Sequence, residues 1–211
     1  MQIQQLGSPN HLSRVSKTTP SRPPDHSAKV LIHSMYNAIT RSIEAELIPA
    51  CRRYGLDIVI YNPIAGGLFS GKYKTTDIPT TGRYSDSVGR MGELYRKRYF
   101  KDSIFKALQI VEPAVEAAGL TMVEMALRWC IHHSALKVGG VSPDGNDGVI
   151  IGVSSFEQLE GNLKDCEKGP LPESVVKALD EAWAVAKSDT PNYWQLDLQY
   201  TYDTRKALFG V

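Results

Sequence analysis

Cysteine is scarce in this chain, and the few thiols are poorly placed for a scaffold. Cys51, Cys130 and Cys166 are odd in number and far apart. That excludes a disulfide framework and a zinc ribbon, and it fits a reducing compartment. Long hydrophobic runs are also missing: no stretch approaches the roughly 20 apolar residues of a membrane span. The N-terminal residues lack the apolar segment of a secretory signal, so the cytoplasm is the expected location. Nor is there an excess of charge. With 24 Lys and Arg against 23 Asp and Glu, no overall field draws the chain to nucleic acid or to an anionic membrane. His132-His133 has no metal-ligand spacing and no carboxylate beside it, and reads as helix-surface and satisfied core histidine. No Ser/His/Asp, Cys/His or paired-carboxylate pattern rises above chance.

What is present is a globular composition, 42% hydrophobic and 22% charged over 211 residues, enough for one ordinary domain or most of a larger one. Residues 1–28 differ from the rest. They are rich in Gln, Ser, Thr and Pro, and are expected to be disordered because they bury too little apolar surface to offset chain entropy. From Lys29 onward three apolar strands are expected, at Val30–Ile32, Leu56–Tyr61 and Val149–Gly152. A helix capped by Thr40 carries Ile43, Leu47, Cys51 and Tyr54, with a kink at Pro49. Lys74 to Gly92 reads as a long polar loop. Helices follow from Asp102 to Ala118 and from a capping box at Thr121. A second box opens at Ser155, with Phe156, Leu159 and Leu163 aligned, and a last helix carries Val175, Leu179, Ala182 and Ala186. Strands alternating with helices predict βαβ units and a parallel sheet.

The most informative stretch is Tyr61-Asn62-Pro63-Ile64-Ala65-Gly66-Gly67-Leu68-Phe69-Ser70-Gly71-Lys72. A buried strand ends on a tyrosine, whose flat ring can stack on a planar ligand. A loop of small residues follows, where backbone N–H groups can converge on an anion and one lysine adds a point charge. Gly66 to Lys72 also satisfies G-x-x-x-x-G-K, but Tyr73 stands where a phosphate loop needs Ser or Thr, and no helix pattern starts at the lysine. A purely structural turn, a phosphate loop and a pyrophosphate-contacting loop of another kind all stay open.

The segment from Val149 carries similar logic. A strand ends at Gly152, and Ser154 and Ser155 cap a helix whose free N–H groups and positive dipole end suit a phosphate. Gln158 and Asn162 share one helical face, where they can bond a base or ribose; an ordinary capped helix with solvated amides reads equally well. The basic cluster of Arg90, Tyr95, Arg96, Lys97, Arg98 and Lys101 suits an acidic ligand or a solvated helix start.

From about Val30 to Phe209 the chain resembles the aflatoxin-aldehyde reductase branch of the aldo-keto reductases. The blocks that carry this are Met35-Tyr36-Asn37-Ala38-Ile39-Thr40-Arg41, Tyr61 to Tyr73, Gly82-Arg83, Tyr95-Arg96-Lys97-Arg98, Leu127-Arg128-Trp129 and Val153 to Asn162. Pro191-Asn192-Tyr193 and a tail from Tyr202 to Gly210 complete them, and the tail is most similar to fungal members. The resemblance implies an α/β fold, a (β/α)8 barrel with its site at the C-terminal ends of the strands. It also implies NADPH as cofactor, reduction of small carbonyl compounds to alcohols, and often a homodimer. Tyr61 matches the tyrosine under the nicotinamide, Asn62 through Lys72 the loop along the pyrophosphate, and Arg83 a further cofactor contact. Ser154, Ser155, Gln158 and Asn162 match the 2′-phosphate and base site, while Tyr95 and Arg98 match substrate-pocket positions. His33 stands where the family usually has a glutamine.

The same resemblance places the family's catalytic Asp, Tyr, Lys and His on the first four strands, whereas the match here begins at the sixth. Residues 29–211 are therefore expected to be the last three strand–helix units of the barrel and its tail, a partial barrel with no catalytic residue assigned. A complementing barrel half and a non-catalytic NADPH-binding or interaction module are the alternatives.

Overall fold

A computed structural model describes residues 31–142 and 144–192, together with positions 203, 206 and 210. The expected disorder of residues 1–28 and the aromatic tail with Trp194, Tyr200, Tyr202 and Phe209 lie outside them. Three strands, β1 (Leu31–Met35), β2 (Asp57–Tyr61) and β3 (Gly148–Val149), form a parallel sheet in the order β1-β2-β3. The register runs from Leu31 opposite Asp57 to Met35 opposite Tyr61, then Ile60 opposite Val149. Parallel pairing sends all three strand ends to the same edge.

β3 is shorter than the apolar run Val149–Gly152 suggests, and the reason is local. Ile150 N–H still reaches the Ile60 carbonyl at 2.8 Å. The next acceptor in that ladder would be the Asn62 carbonyl, but it already takes Ala65 N–H at 3.0 Å and Asn37 Nδ2 at 3.1 Å. The turn after β2 has consumed the rung that would have extended β3.

The expected helix from Thr40 is two pieces, a 3₁₀ turn at Ser42–Glu44 and α1 (Leu47–Arg53). Thr40 caps neither, because its backbone is tied to Asn37 in a tight two-way bridge. Pro49 does not kink a helix. It falls in the first turn of α1, where a missing N–H leaves no bond unmade. The loop expected to reach Gly92 gives way earlier, to α2 (Arg90–Tyr99). This helix was hidden by its basic residues, but it buries Gly92, Tyr95 and Tyr99. A Cβ at Gly92 would lie 2.1 Å from the Ser85 carbonyl oxygen, so only glycine lets α2 sit this close to the preceding loop.

α3 (Asp102–Ala117) packs its Phe105, Leu108, Val111 and Val115 side against α6 (Glu173–Ala186), which turns in Val175, Leu179, Ala182 and Ala186. α4 (Met122–His132) starts where Thr121 accepts the Glu124 N–H at 3.0 Å, and it packs on α5 (Phe156–Cys166). Below the sheet, buried Asp147 holds the entry to β3. Its carboxylate accepts Ile58 N–H at 2.8 Å and Lys137 N–H at 2.7 Å, and it forms a two-pronged ion pair with Arg52. That ion pair holds the Arg52 guanidinium above its ordinary value, against the opposing effect of burial.

Candidate functional site

The site begins where β2 stops. Asn62 turns the chain at φ +59°, a left-handed conformation that asparagine tolerates better than most residues. Ala65 follows at φ +48°, an outlier for a residue with a Cβ, and Gly66, Gly67 and Gly71 are also left-handed. Such a run of positive φ folds Ala65–Ser70 into tight 3₁₀ turns against the sheet edge. Ala65 N–H bonds the Asn62 carbonyl, and Gly67 N–H bonds the Ile64 carbonyl at 2.9 Å. Part of the loop's donor supply therefore holds its own shape. Buried Tyr84 fixes it from outside through a hydroxyl bond to the Ala65 carbonyl.

Tyr95 from α2 is the centre of the cluster. Its ring lies against Gly66 so closely that an added Cβ would come within 2.5 Å of Cε1. Its hydroxyl donates to Asn62 Oδ1 and accepts from Arg83, both at 3.2 Å. The guanidinium carbons of Arg83 and Arg98 lie 5.2 and 5.5 Å from the ring centre. Tyr61, half-buried, completes the group. Burial pushes its phenol up, with Arg98 pulling the other way. Burial also pushes Tyr84 and Tyr99 well up.

Among the described residues four buried side-chain polar atoms lack a hydrogen-bond partner, and two of them, Asn62 Nδ2 and Arg98 Nε, belong to this cluster. Unpaired buried donors are costly and uncommon, so two at one strand end point to an acceptor that the protein itself does not supply.

The second expected segment lies along the same sheet edge. Ile64 from the β2 loop and Ile151 after β3 pack on one small cluster with Leu127, Ile131 and Cys166, which joins the two loops through the core. Ser155 caps α5 by accepting Gln158 N–H at 3.3 Å. Gln158 Oε1 in return accepts Ser154 N–H and its hydroxyl, both at 3.0 Å. The stripe Gln158, Asn162, Cys166 slopes from solvent into the α4 contact, so Asn162 is buried while Gly152, Ser154, Ser155 and Gln158 are exposed. Phe156, expected to point inward with Leu159 and Leu163, is 73% exposed. Lys72 is exposed, and the chain beyond it has no regular structure until Asp86, so the helix of a phosphate loop is absent there. His33 is exposed on β1.

Asn37 was not singled out as a site residue by sequence reading. Its Nδ2 bridges the Asn62 carbonyl and the Tyr99 hydroxyl, and so ties the ends of β1 and β2 to α2. A signal was available: both strands run out into the same dipeptide, Tyr36-Asn37 and Tyr61-Asn62.

The family model described as Aldo/keto reductase family matches residues 11–184. This chain belongs to the aldo/keto reductases. The match takes in part of the segment 1–28 as well as the strand-end cluster. Among curated relatives, the aldo-keto reductase MYCFIDRAFT_156381 of Pseudocercospora fijiensis is 42% identical, over 75% of this chain and 52% of its own length. Aflatoxin B1 aldehyde reductase member 2 of Mus musculus is 44% identical, over 76% of this chain and 44% of its own. The human aldo-keto reductase family 7 member A3 is 43% identical, over 76% and 49% respectively. The chain spans about half the length of the curated relatives it matches. Among the described residues of this aldo/keto reductase no helix is long and apolar enough to cross a membrane.

Proposed function

We propose that this chain binds NADPH as part of a reductase that converts small aldehydes and ketones to alcohols. The observation that carries the reading is the pair of unpartnered buried donors, Asn62 Nδ2 and Arg98 Nε, at the C-terminal edge of a parallel sheet in an aldo/keto reductase. In this reading Tyr61 offers its face to the nicotinamide, and the backbone from Asn62 to Gly71, with Lys72, runs along the pyrophosphate. Arg83 adds a cofactor contact. Ser154, Ser155 and the first turn of α5 receive the 2′-phosphate, whose charge suits the positive end of an 11-residue helix. Gln158 and Asn162 take the base side, Gln158 from solvent and Asn162 from within the α4–α5 contact. When bound, NADPH supplies the hydride for the carbonyl carbon. Tyr95 and Arg98 face the substrate side, and the small-molecule substrate and a cytoplasmic location belong to the same reading.

A second reading, a non-catalytic NADPH-binding module, is favoured by one observation. The phenols of Tyr61, Tyr84 and Tyr99 are all pushed up by burial, away from the range where a general acid works well at neutral pH. We therefore assign these three tyrosines to packing and binding rather than to proton delivery. Under the first reading a complementing barrel half would supply the acid; a homodimer of this chain would add a second copy of the same binding residues.

Titrating NADPH, NADH and magnesium-ATP into one preparation tests the site. NADPH should bind more tightly than NADH, and Ser155→Asp should weaken NADPH selectively by placing a carboxylate beside the 2′-phosphate. Magnesium-dependent ATP binding that Lys72→Ala abolishes, without affinity for NADPH, would overturn the assignment. NADPH binding with no aldehyde turnover above background would favour the second reading over the first.

A further inference from the structure

Away from the strand-end cluster, the segment linking α5 to α6 is held by a row of side chains on α4. Arg128 donates from Nε to the Gly169 carbonyl and from one terminal nitrogen to the Pro170 carbonyl, both at 2.7 Å. His132 Nε2 lies 2.7 Å from the Lys168 carbonyl oxygen. His133, at the C-terminal end of α4, receives the Leu171 N–H on its own Nε2 at 2.8 Å. Lys168 closes the row with ion pairs to Glu124 and Asp165, both at 2.9 Å. Four consecutive residues, Lys168 to Leu171, are thus strapped onto α4 between the two helices they connect.

The two histidines make opposite demands. A carbonyl accepts, so His132 must carry a proton on Nε2, and it can do so in the neutral or the charged ring. A backbone N–H donates, so His133 must keep Nε2 bare, which only the neutral ring with its proton on Nδ1 allows. Protonating His133 therefore sets one donor against another and leaves the Leu171 N–H without an acceptor, next to a side chain that is buried in the core.

We propose that His133 is a pH-operated latch: its protonation in mildly acidic solution releases Leu171 and loosens the strap at the entry to α6. The surrounding charges set where this happens. Burial, then His132, then Arg128 hold the His133 ring below the ordinary histidine value of 6.5, and Asp180 of α6 opposes them. Asp180 is itself paired with Arg41 at 2.7 Å, while Glu124 is shared between Arg128 and Lys168. The helix dipole at the end of α4 would also favour a proton on His133. Because the folded ring binds its proton more weakly than the unfolded one, the latch contributes fully above pH 6.5 and is lost as pH falls below it.

Nitrogen NMR of the histidine rings in the full chain reads the mechanism directly. His133 should hold its proton on Nδ1 at neutral pH and titrate with a midpoint below 6.5. A proton on Nε2, or a midpoint at or above 6.5, would overturn the latch. Melting curves give a second readout. Between about pH 7.5 and about pH 5.5 the wild type should lose roughly 2–4 °C more than His133→Gln, the amount expected for one hydrogen bond in a domain of this length. Gln places a carbonyl oxygen where Nε2 stands but cannot titrate, so parallel curves for the two proteins would also refute the proposal. Should His133→Gln fail to fold, the ring tautomer and midpoint in the wild type still decide.

Discussion

Gly66→Ala tests the strand-end cluster at its tightest point. Gly66 sits at φ +65°, and a Cβ there would lie 2.5 Å from Cε1 and 2.6 Å from Cδ1 of Tyr95. Two costs arise separately. Holding an L-residue in the left-handed region costs about 1–2 kcal/mol, and forcing a methyl group into a packed ring costs roughly 1–3 kcal/mol. Tyr95 cannot simply swing aside, since it is 6% exposed and its hydroxyl is bonded to Asn62 and Arg83. The sum, about 2–5 kcal/mol, corresponds to a melting temperature lowered by about 4–20 °C for a domain of this size. Gly71→Ala is the internal control. Gly71 has φ +74° with nothing within 4 Å of an added Cβ, so only the backbone cost of about 1–2 kcal/mol applies. Urea unfolding of Gly66→Ala, Tyr95→Leu and the double variant then isolates the clash as a coupling of roughly 1–3 kcal/mol in favour of the double variant. Equal losses for Gly66→Ala and Gly71→Ala, or strict additivity in the cycle, would show that the loop does not rest on the Tyr95 ring.

Asp147→Ala should destabilise by about 3–5 kcal/mol in urea unfolding, because it removes the carboxylate that pairs with Arg52 and accepts the buried Ile58 amide and the half-buried bond from Lys137 N–H; a loss below about 1 kcal/mol would mean that the entry to β3 is held some other way. Thr121→Ala should cost about 1 kcal/mol by removing the cap on Glu124 N–H, measured the same way. Glu124 predicts an acid-side dependence. Burial pushes its carboxyl up, but the bonds from Lys168 and Arg128 outweigh that and hold it below the ordinary 4.5. Its contribution is therefore complete above pH 4.5 and is lost as pH falls through the lower folded value, so Glu124→Gln should flatten that limb of a melting-temperature profile.

Much of the helical content is legible in the sequence because its signals are local. Thr121 and Ser155 each stand three residues before a residue whose N–H they accept, and a backbone turn is all that contact needs. The stripes on α3 and α6 are likewise one-helix patterns that any apolar partner would satisfy. α2 was missed because Arg90, Arg96, Lys97 and Arg98 dominate its composition, while its burial depends on Tyr84 and Ser85 from a loop that has no pattern of its own. Thr40 looked like a cap because capping residues are recognised by type, and the bridge to Asn37 that occupies it comes from the turn after β1.

The sequence by itself determined the family, the alternation of strands and helices, and the loop and cap character of the segments after β2 and β3, since each depends on residues adjacent in the chain. Tertiary structure decided where those segments meet and which atoms are left to bind anything. Parallel pairing brings the ends of β2 and β3 to one edge, and the Asn62 carbonyl, taken by Asn37 and Ala65, stops β3 there. The contacts of Tyr95 with Gly66, Asn62 and Arg83 span up to 33 residues of chain, and the unpaired donors of Asn62 and Arg98 exist only once that packing has formed. A hydrogen bond left unmade is a property of the whole surrounding fold, so no run of neighbouring residues could have displayed it.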